Sequence, residues 1–382
     1  MEHCPSSEHP CLEHDLSLIR RDVTLGLSRS RATATCSTWH LWEDFCHTLA
    51  IEPATADIPD PIPIFQVFAH RYRQGEISPS KSVVRGRTVG DALRAVRQTM
   101  AHMGLRDPRL TPSGKLDVRL SHLLAAYNKA DPPPQSVKPI PIALLRHTCD
   151  LQRQSLHPLG PAIADMLTLG FFYLLRPGEY ANTDNPESSP FHLQDIHLMV
   201  GCCRINHLNC PRYNLHAATF ACLEFTSQKN GVRGKLIGLG RSGCTAFCPV
   251  TALINRINHL RDHDAIPSMP LYAYHTTRWE AVTASILTTM LHQSATVLGP
   301  TFGLAPVDIS VQSLCSSGAM ALLCGHVDTD RIRLLGRWRS DEMLCYLHVQ
   351  AFPVLATIAP TMLQHGNFTL IPNHPHPPTG GH

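Results

Sequence analysis

The sequence predicts a mainly α protein with a small antiparallel β-sheet, arranged in two domains. Three observations carry that prediction. Apolar residues recur at three- and four-residue steps through the first third of the chain, as on buried helix faces. A proline-rich run, DPPPQSVKPIP at 131–141, cannot continue a helix and favours a stiff, extended connector. Strand-like runs bounded by Gly and Asn occur only after that connector.

Residues 1–25 are polar, with Pro and His but little periodicity, and read as a loose lead. In SRATATCSTWHLWEDFCHTLAI, the residues Trp39, Trp42, Phe45 and Leu49 form one apolar face. IPIFQVFAHRYRQG gives a second helix after a Pro-rich bend. RTVGDALRAVRQTMAHMG gives a third, with Val89, Leu93, Val96, Met100 and Met103 inward and Gly104 as its stop. KLDVRLSHLLAAYNKA gives a fourth. These make a helical domain over 26–131, and 132–141 is the linker.

The second domain is expected over 142–360. A helix starts at Ile142, and the strongly apolar PAIADMLTLGFFYLLRPGEY runs as helix to Arg176, where Pro177-Gly178 interrupts it. FHLQDIHLMVG, HAATFACLEFTSQ and KLIGLG read as strands, the last two joined by a hairpin turn at Asn230-Gly231 or Arg233-Gly234. CPVTALINRINHLRDH, SILTTMLHQSATVLG, SLCSSGAMALLCG and two short segments around Arg333 and Tyr346 read as helices. The tail, 361–382, ends IPNHPHPPTGGH and is low in complexity.

Of 382 residues, 43% are hydrophobic and 16% charged, the balance of a folded protein with enough chain for two cores. The chain opens MEHCPSSEHPCLEHDLS, without an apolar leader, and no stretch is long and apolar enough for a membrane span, so an intracellular protein with no membrane partner is expected. Fourteen scattered cysteines without a signal peptide read as free thiols in a reducing compartment. The formal net charge is only +3, but between Arg71 and Arg109 nine basic residues face three acidic ones. Such a stretch suits a phosphate backbone, and Lys81, Arg85, Arg87, Arg94 and Arg97 are its DNA-binding candidates.

Four segments, LLRPGEY, SQKNGVRG, SLCSSGAM and LLGRWRSDEMLCYLH, occur in an order and spacing that resemble the tyrosine recombinase and integrase family. The likeness is to the DIRS-like and Crypton-type recombinases of eukaryotic mobile elements, and it extends over most of residues 30–352. The resemblance implies a two-domain clamp: a helical core-binding domain and an α+β catalytic domain that cuts and rejoins double-stranded DNA through a 3′-phosphotyrosine. It also implies a nuclear location, no cofactor, no metal, and self-association as a tetramer on paired DNA sites. In that chemistry a tyrosine hydroxyl attacks a phosphodiester, and arginines meet the charge that develops on the phosphate oxygens.

Carried over by resemblance, Tyr346 is the nucleophile, Arg176 the first arginine with Glu179 three residues on, and Lys229 the lysine that protonates the leaving 5′-oxygen. Arg337 falls in a third box, where DIRS-like members also read Gly-Arg-Trp, and Trp338 follows it. The second arginine box departs from the pattern. The family reads roughly His-Ser-Leu-Arg-x-Gly-Gly-Ala, which puts Gln312 in the histidine slot and Cys315 in the arginine slot. A thiol cannot bridge two phosphate oxygens. Impaired catalysis is therefore expected, with Arg337 or Arg333 as substitute charges, and a catalytically inactive DNA-binding relic is the alternative. Cys202, Cys203, His207, Cys210 and Cys222, or Cys244 with Cys248, lack the paired spacing of a zinc ribbon, and no phosphate-binding loop occurs.

Overall fold

A computed structural model describes residues 14, 15, 18, 29–132, 137–185, 188–226 and 234–338. The lead, the turn through Asn230 and Gly231, the segment around Tyr346, and the tail lie outside the described residues, apart from isolated positions in the lead. The fold is mainly helical with a small antiparallel sheet, and the chain divides into two compact units, residues 1–135 and 136–382.

The first unit contains α1 (Arg29–Thr48), α2 (Ile62–Gln74), α3 (Gly86–His102) and α4 (Val118–Ala130). Its core is aromatic: Trp42 stacks on Phe65 at 4.6 Å and meets Phe68 edge-on at 5.1 Å, and its indole N–H donates to the Pro53 carbonyl at 2.9 Å. Val89, Leu93, Val96 and Met100 of α3 are buried against this cluster. Leu49 and Met103, expected inward, are 38% and 56% exposed, because α1 ends at Thr48 and Met103 is the residue that caps α3. Arg73 joins three elements at once. It pairs with Asp131 at 2.8 Å and lies over the Tyr127 ring at 4.6 Å, while the other Asp131 oxygen accepts the Gly86 N–H at 2.7 Å.

The second unit holds α5 (Ile142–Arg153), α6 (Leu159–Phe172), α7 (Pro177–Tyr180), β1 (Ile196–Val200), β2 (Cys203–Ile205), α8 (Arg212–His216), β3 (Phe220–Phe225), β4 (Lys235–Gly240), α9 (Pro249–Asp262), β5 (Ala273–His275), β6 (Trp279–Ala281), α10 (Ala284–Leu298), α11 (Ser313–Cys324) and α12 (Thr329–Gly336). The main sheet runs β2-β1-β3-β4, antiparallel throughout, with Ile196 opposite Leu223 and Leu223 opposite Ile237 on its buried face. β2 and the β5–β6 hairpin are additional to the expected strands; at three residues each they are too short to display an alternating pattern. Residues at the end of the linker are tied into this unit. Lys138 pairs with Asp308 at 3.0 Å, and the Ile140 N–H donates to Ser317 at 2.7 Å.

Helix α6 is apolar on nearly all sides and buried from Ala162 to Phe171, so it forms the axis of the unit. It stops at Phe172, short of the expected Arg176, in a C-terminal turn where the Leu175 N–H reaches back to the Gly170 carbonyl and Leu174 takes a left-handed φ of 50°. Tyr173 then donates its hydroxyl to Ala221 of β3 at 2.7 Å, fixing the sheet to the end of the helix. On its other side α11 comes very close. A Cβ at Gly318 would lie 2.3 Å from the Phe171 carbonyl oxygen and from a Leu174 methyl.

Gly318→Ala should therefore destabilise the protein by about 1–3 kcal/mol, because a backbone carbonyl cannot give way as a side chain can. Urea unfolding followed by circular dichroism checks this.

Candidate functional site

The early end of α6 leaves two carbonyls, those of Tyr173 and Leu174, without helical partners. Arg337, the residue that caps α12 with a left-handed φ of 61°, supplies the donors. Its guanidinium donates to the Tyr173 and Leu174 oxygens, each at 3.2 Å, and to a Glu179 carboxylate oxygen at 2.9 Å. It also lies over the Phe225 ring at 4.1 Å, and only 2% of the side chain is exposed. Burial lowers its pKa, with Glu179 and Cys315 opposing, and an arginine so placed stays charged. Its Nε is buried with no hydrogen-bond partner among the described residues.

Glu179 is shared. The carboxylate oxygen that receives Arg337 also accepts the Arg176 N–H at 2.9 Å, and the Arg176 guanidinium lies 4.0 Å from the other oxygen. Arg176 is held by Pro177, which starts the short α7, and 30% of its side chain faces solvent. Its Nη1 is buried without a hydrogen-bond partner among the described residues. Of the two arginines in the set, Arg176 is the one with substantial exposed surface, 30% of its side chain against 2% for Arg337.

Cys315 sits on α11 beside this pair. Its thiol donates to the same Leu174 carbonyl at 3.4 Å, and burial pushes its pKa up to about 12 despite the nearby Arg337 charge. It is a neutral thiol, packed with Leu174, Ala319, Ile332 and Trp338 in a small apolar cluster. Trp338 is 6% exposed, and its ring lies where a Cβ at Gly336 would be, which explains a glycine at that position.

Residues from motifs far apart in the chain thus meet. Arg176, Glu179, Cys315, Arg337 and Trp338 share one small region at the end of α6, whereas Gln312 is exposed at the start of α11 and takes no part in the cluster. Arg333 is half-exposed and pairs with Asp330 at 3.0 Å. Lys229 and Tyr346 lie outside the described residues. The reading of Arg337 as a substitute phosphate clamp changes: its position beside Cys315 fits, but both terminal nitrogens bond Glu179 or the two carbonyls and its Nε is buried. Sequence reasoning did not single out Lys235, at the first position of β4, whose Nζ donates to the Leu334 carbonyl at 3.1 Å. The signal available was a second lysine closely following Lys229.

In the first unit the basic candidates separate into two classes. Arg85, Arg87, Arg94 and Arg97 are exposed along α3 or just before it, and Lys81 is exposed in the preceding loop. Arg73 and Arg109 are not part of that surface, since each is largely buried and paired with a carboxylate. The described cysteines are free thiols, and no three His, Cys, Asp or Glu side chains among the described residues converge as metal ligands. Among the described residues, no helix is long and apolar enough to cross a membrane.

The chain matches no protein-family pattern and no curated protein. Among solved structures it is similar to XerA recombinase at 13% identity, covering 94% of this chain and 100% of that one, with a TM-score of 0.37. It is also similar to the Tn1549 transposon integrase in complex with transposon right-end DNA, at 9% identity over 79% and 84% of the two chains, with a TM-score of 0.44. Likenesses this distant carry no argument about function, which rests on the residues of this chain.

Two outcomes follow from the geometry. Arg337→Met should cost about 3 kcal/mol of stability, because it removes the donors that meet the Tyr173 and Leu174 carbonyls and one of the two arginines that hold Glu179, and the urea midpoint reads this loss. Iodoacetamide at about pH 8 should alkylate exposed Cys36, Cys202 and Cys203 in the native protein and reach Cys315 only after unfolding, as peptide mass spectrometry would record.

Proposed function

We propose that this chain is a tyrosine recombinase-like DNA-binding protein of a mobile element, acting in the nucleus on double-stranded DNA. Its first unit grips the duplex through the basic surface of α3. Its second unit cuts and rejoins a strand through Tyr346, slowly, within a tetramer on paired sites. The observation that carries this reading is the convergence of Arg176, Glu179, Cys315 and Arg337, four positions that the recombinase resemblance selected from segments far apart in sequence.

In this reading Arg176 turns the exposed part of its guanidinium to a phosphate oxygen, and Glu179 holds the backbone at Arg176 in the extended conformation that presents it. Tyr346 attacks phosphorus, a 3′-phosphotyrosine forms, and the 5′-oxygen leaves with a proton from Lys229; the reverse attack rejoins the strand. Cys315 offers neither charge nor a two-donor fork. The loss of one such clamp costs on the order of 3–6 kcal/mol of transition-state stabilisation, a rate loss of roughly a hundredfold to ten-thousandfold. A second reading, a DNA-binding module that no longer cleaves, is favoured by one observation: the Arg337 guanidinium that could offset Cys315 is buried, with both terminal nitrogens bonded within the protein.

Full-length protein incubated with nicked suicide duplexes should accumulate a covalent protein–DNA adduct over hours, detected as a shifted band on a denaturing gel. The adduct should vanish in Tyr346→Phe and fall at least about a hundredfold in rate in Arg176→Ala, the scale of one lost anion donor. Salt-dependent duplex binding without any adduct would replace the first reading by the second, and absence of both would overturn the two together.

A further inference from the structure

Helix α3 carries a glycine that its packing does not explain. Gly170 and Gly318 are pressed against neighbouring helices, with atoms 2.9 and 2.3 Å from where a Cβ would stand, and Gly86 is pressed against Asn128 at 2.7 Å. At Gly90 the nearest atom is the tip of the Arg94 side chain, at 3.9 Å. Glycine is a poor helix former, and an alanine there would fit without displacing anything.

Its neighbours on the helix surface are basic. Arg87 and Arg94, three residues before and four after, share its face, and Arg97 flanks them. All three are exposed, about a third of a turn round the helix from the buried Val89, Leu93, Val96 and Met100. Arg94 pairs with Asp91 at 2.8 Å and thereby neutralises the one carboxylate on this face of the helix, while Arg97 forms a looser pair with Asp107 at 3.8 Å. A bare stretch of helix backbone framed by guanidinium groups is shaped for a polyanion that comes nearer than any side chain would permit.

We infer that Gly90 is the point of closest approach of the sugar–phosphate backbone of duplex DNA, seated on α3 between Arg87, Arg94 and Arg97. This rests on the DNA-binding reading above and goes beyond it, since it assigns affinity to the absence of a side chain. The occupant is a phosphate backbone because the groups that frame Gly90 are guanidinium cations, whose attraction to a polyanion is independent of sequence.

The test is fluorescence anisotropy with the full chain and a labelled mixed-sequence duplex of about 30 base pairs, at several salt concentrations. Gly90→Ala should bind roughly five- to tenfold more weakly and Gly90→Gln more than about tenfold, while both melt roughly 4 °C higher than the parent. Neither should change the slope of affinity against salt, because neither removes a charge, whereas Arg87→Ala should reduce that slope by about one. If the parent binds with steep salt dependence and the Gly90 variants bind equally well, the inference fails and the DNA-binding reading stands. Variants that melt lower than the parent would also overturn it, by giving the glycine a packing role. A parent that does not bind duplex would remove the DNA-binding reading itself.

Discussion

The guanidinium of Arg337 enters the place where α6 comes undone, and the arrangement of the second unit around the candidate site depends on it. Two carbonyls released by the turn at Leu174 would be costly to bury unpaired, and a cation with several donors in one plane meets both while pairing with Glu179. The same contact joins the end of α12 to the end of α6. Phe225 of β3 closes the ring of partners from the sheet side, so α6, the sheet and α12 meet on one charged group.

That use of Arg337 decides what the neighbouring residues can do. Glu179 is bound from two directions, so the backbone at Arg176 is held and its side chain stays partly exposed. Cys315 fills the remaining space as a small neutral group with one weak hydrogen bond. A second guanidinium at position 315 would stand against the first in a region already short of solvent. The thiol and the buried arginine are thus two halves of one local solution, in which positive charge serves the fold more than a substrate.

A similar division runs through the first unit. Arg73 and Arg109 spend their charge on Asp131 and Asp107, holding helix ends and a loop in place. The arginines of α3 remain on the surface, where Arg94 meets Asp91 in an exposed pair that water screens and Arg97 forms a looser pair with Asp107. Local net charge alone does not distinguish these groups, since both come from the same basic stretch.

Much of the architecture was legible in the sequence. The spacing of Trp39, Trp42 and Phe45, the all-round apolar run of α6 and the prolines after Asp131 each act through local chemistry, so they announce themselves without a fold. The motif residues Arg176, Glu179, Cys315 and Arg337 could also be named from the text of the chain. Their meeting could not, nor could the end of α6 at Phe172, the exposure of Leu49 and Met103, or the commitment of Arg337 to carbonyls that exist only because a helix stops early. The meeting of the motif residues and the commitment of Arg337 depend on contacts between segments more than a hundred residues apart, for instance between Leu174 and Arg337, while the helix ends turn on where individual residues cap. Periodicity reports which side of an element is buried; which group is spent inside the protein, and which is left for a ligand, is decided only when distant elements close around the same few atoms.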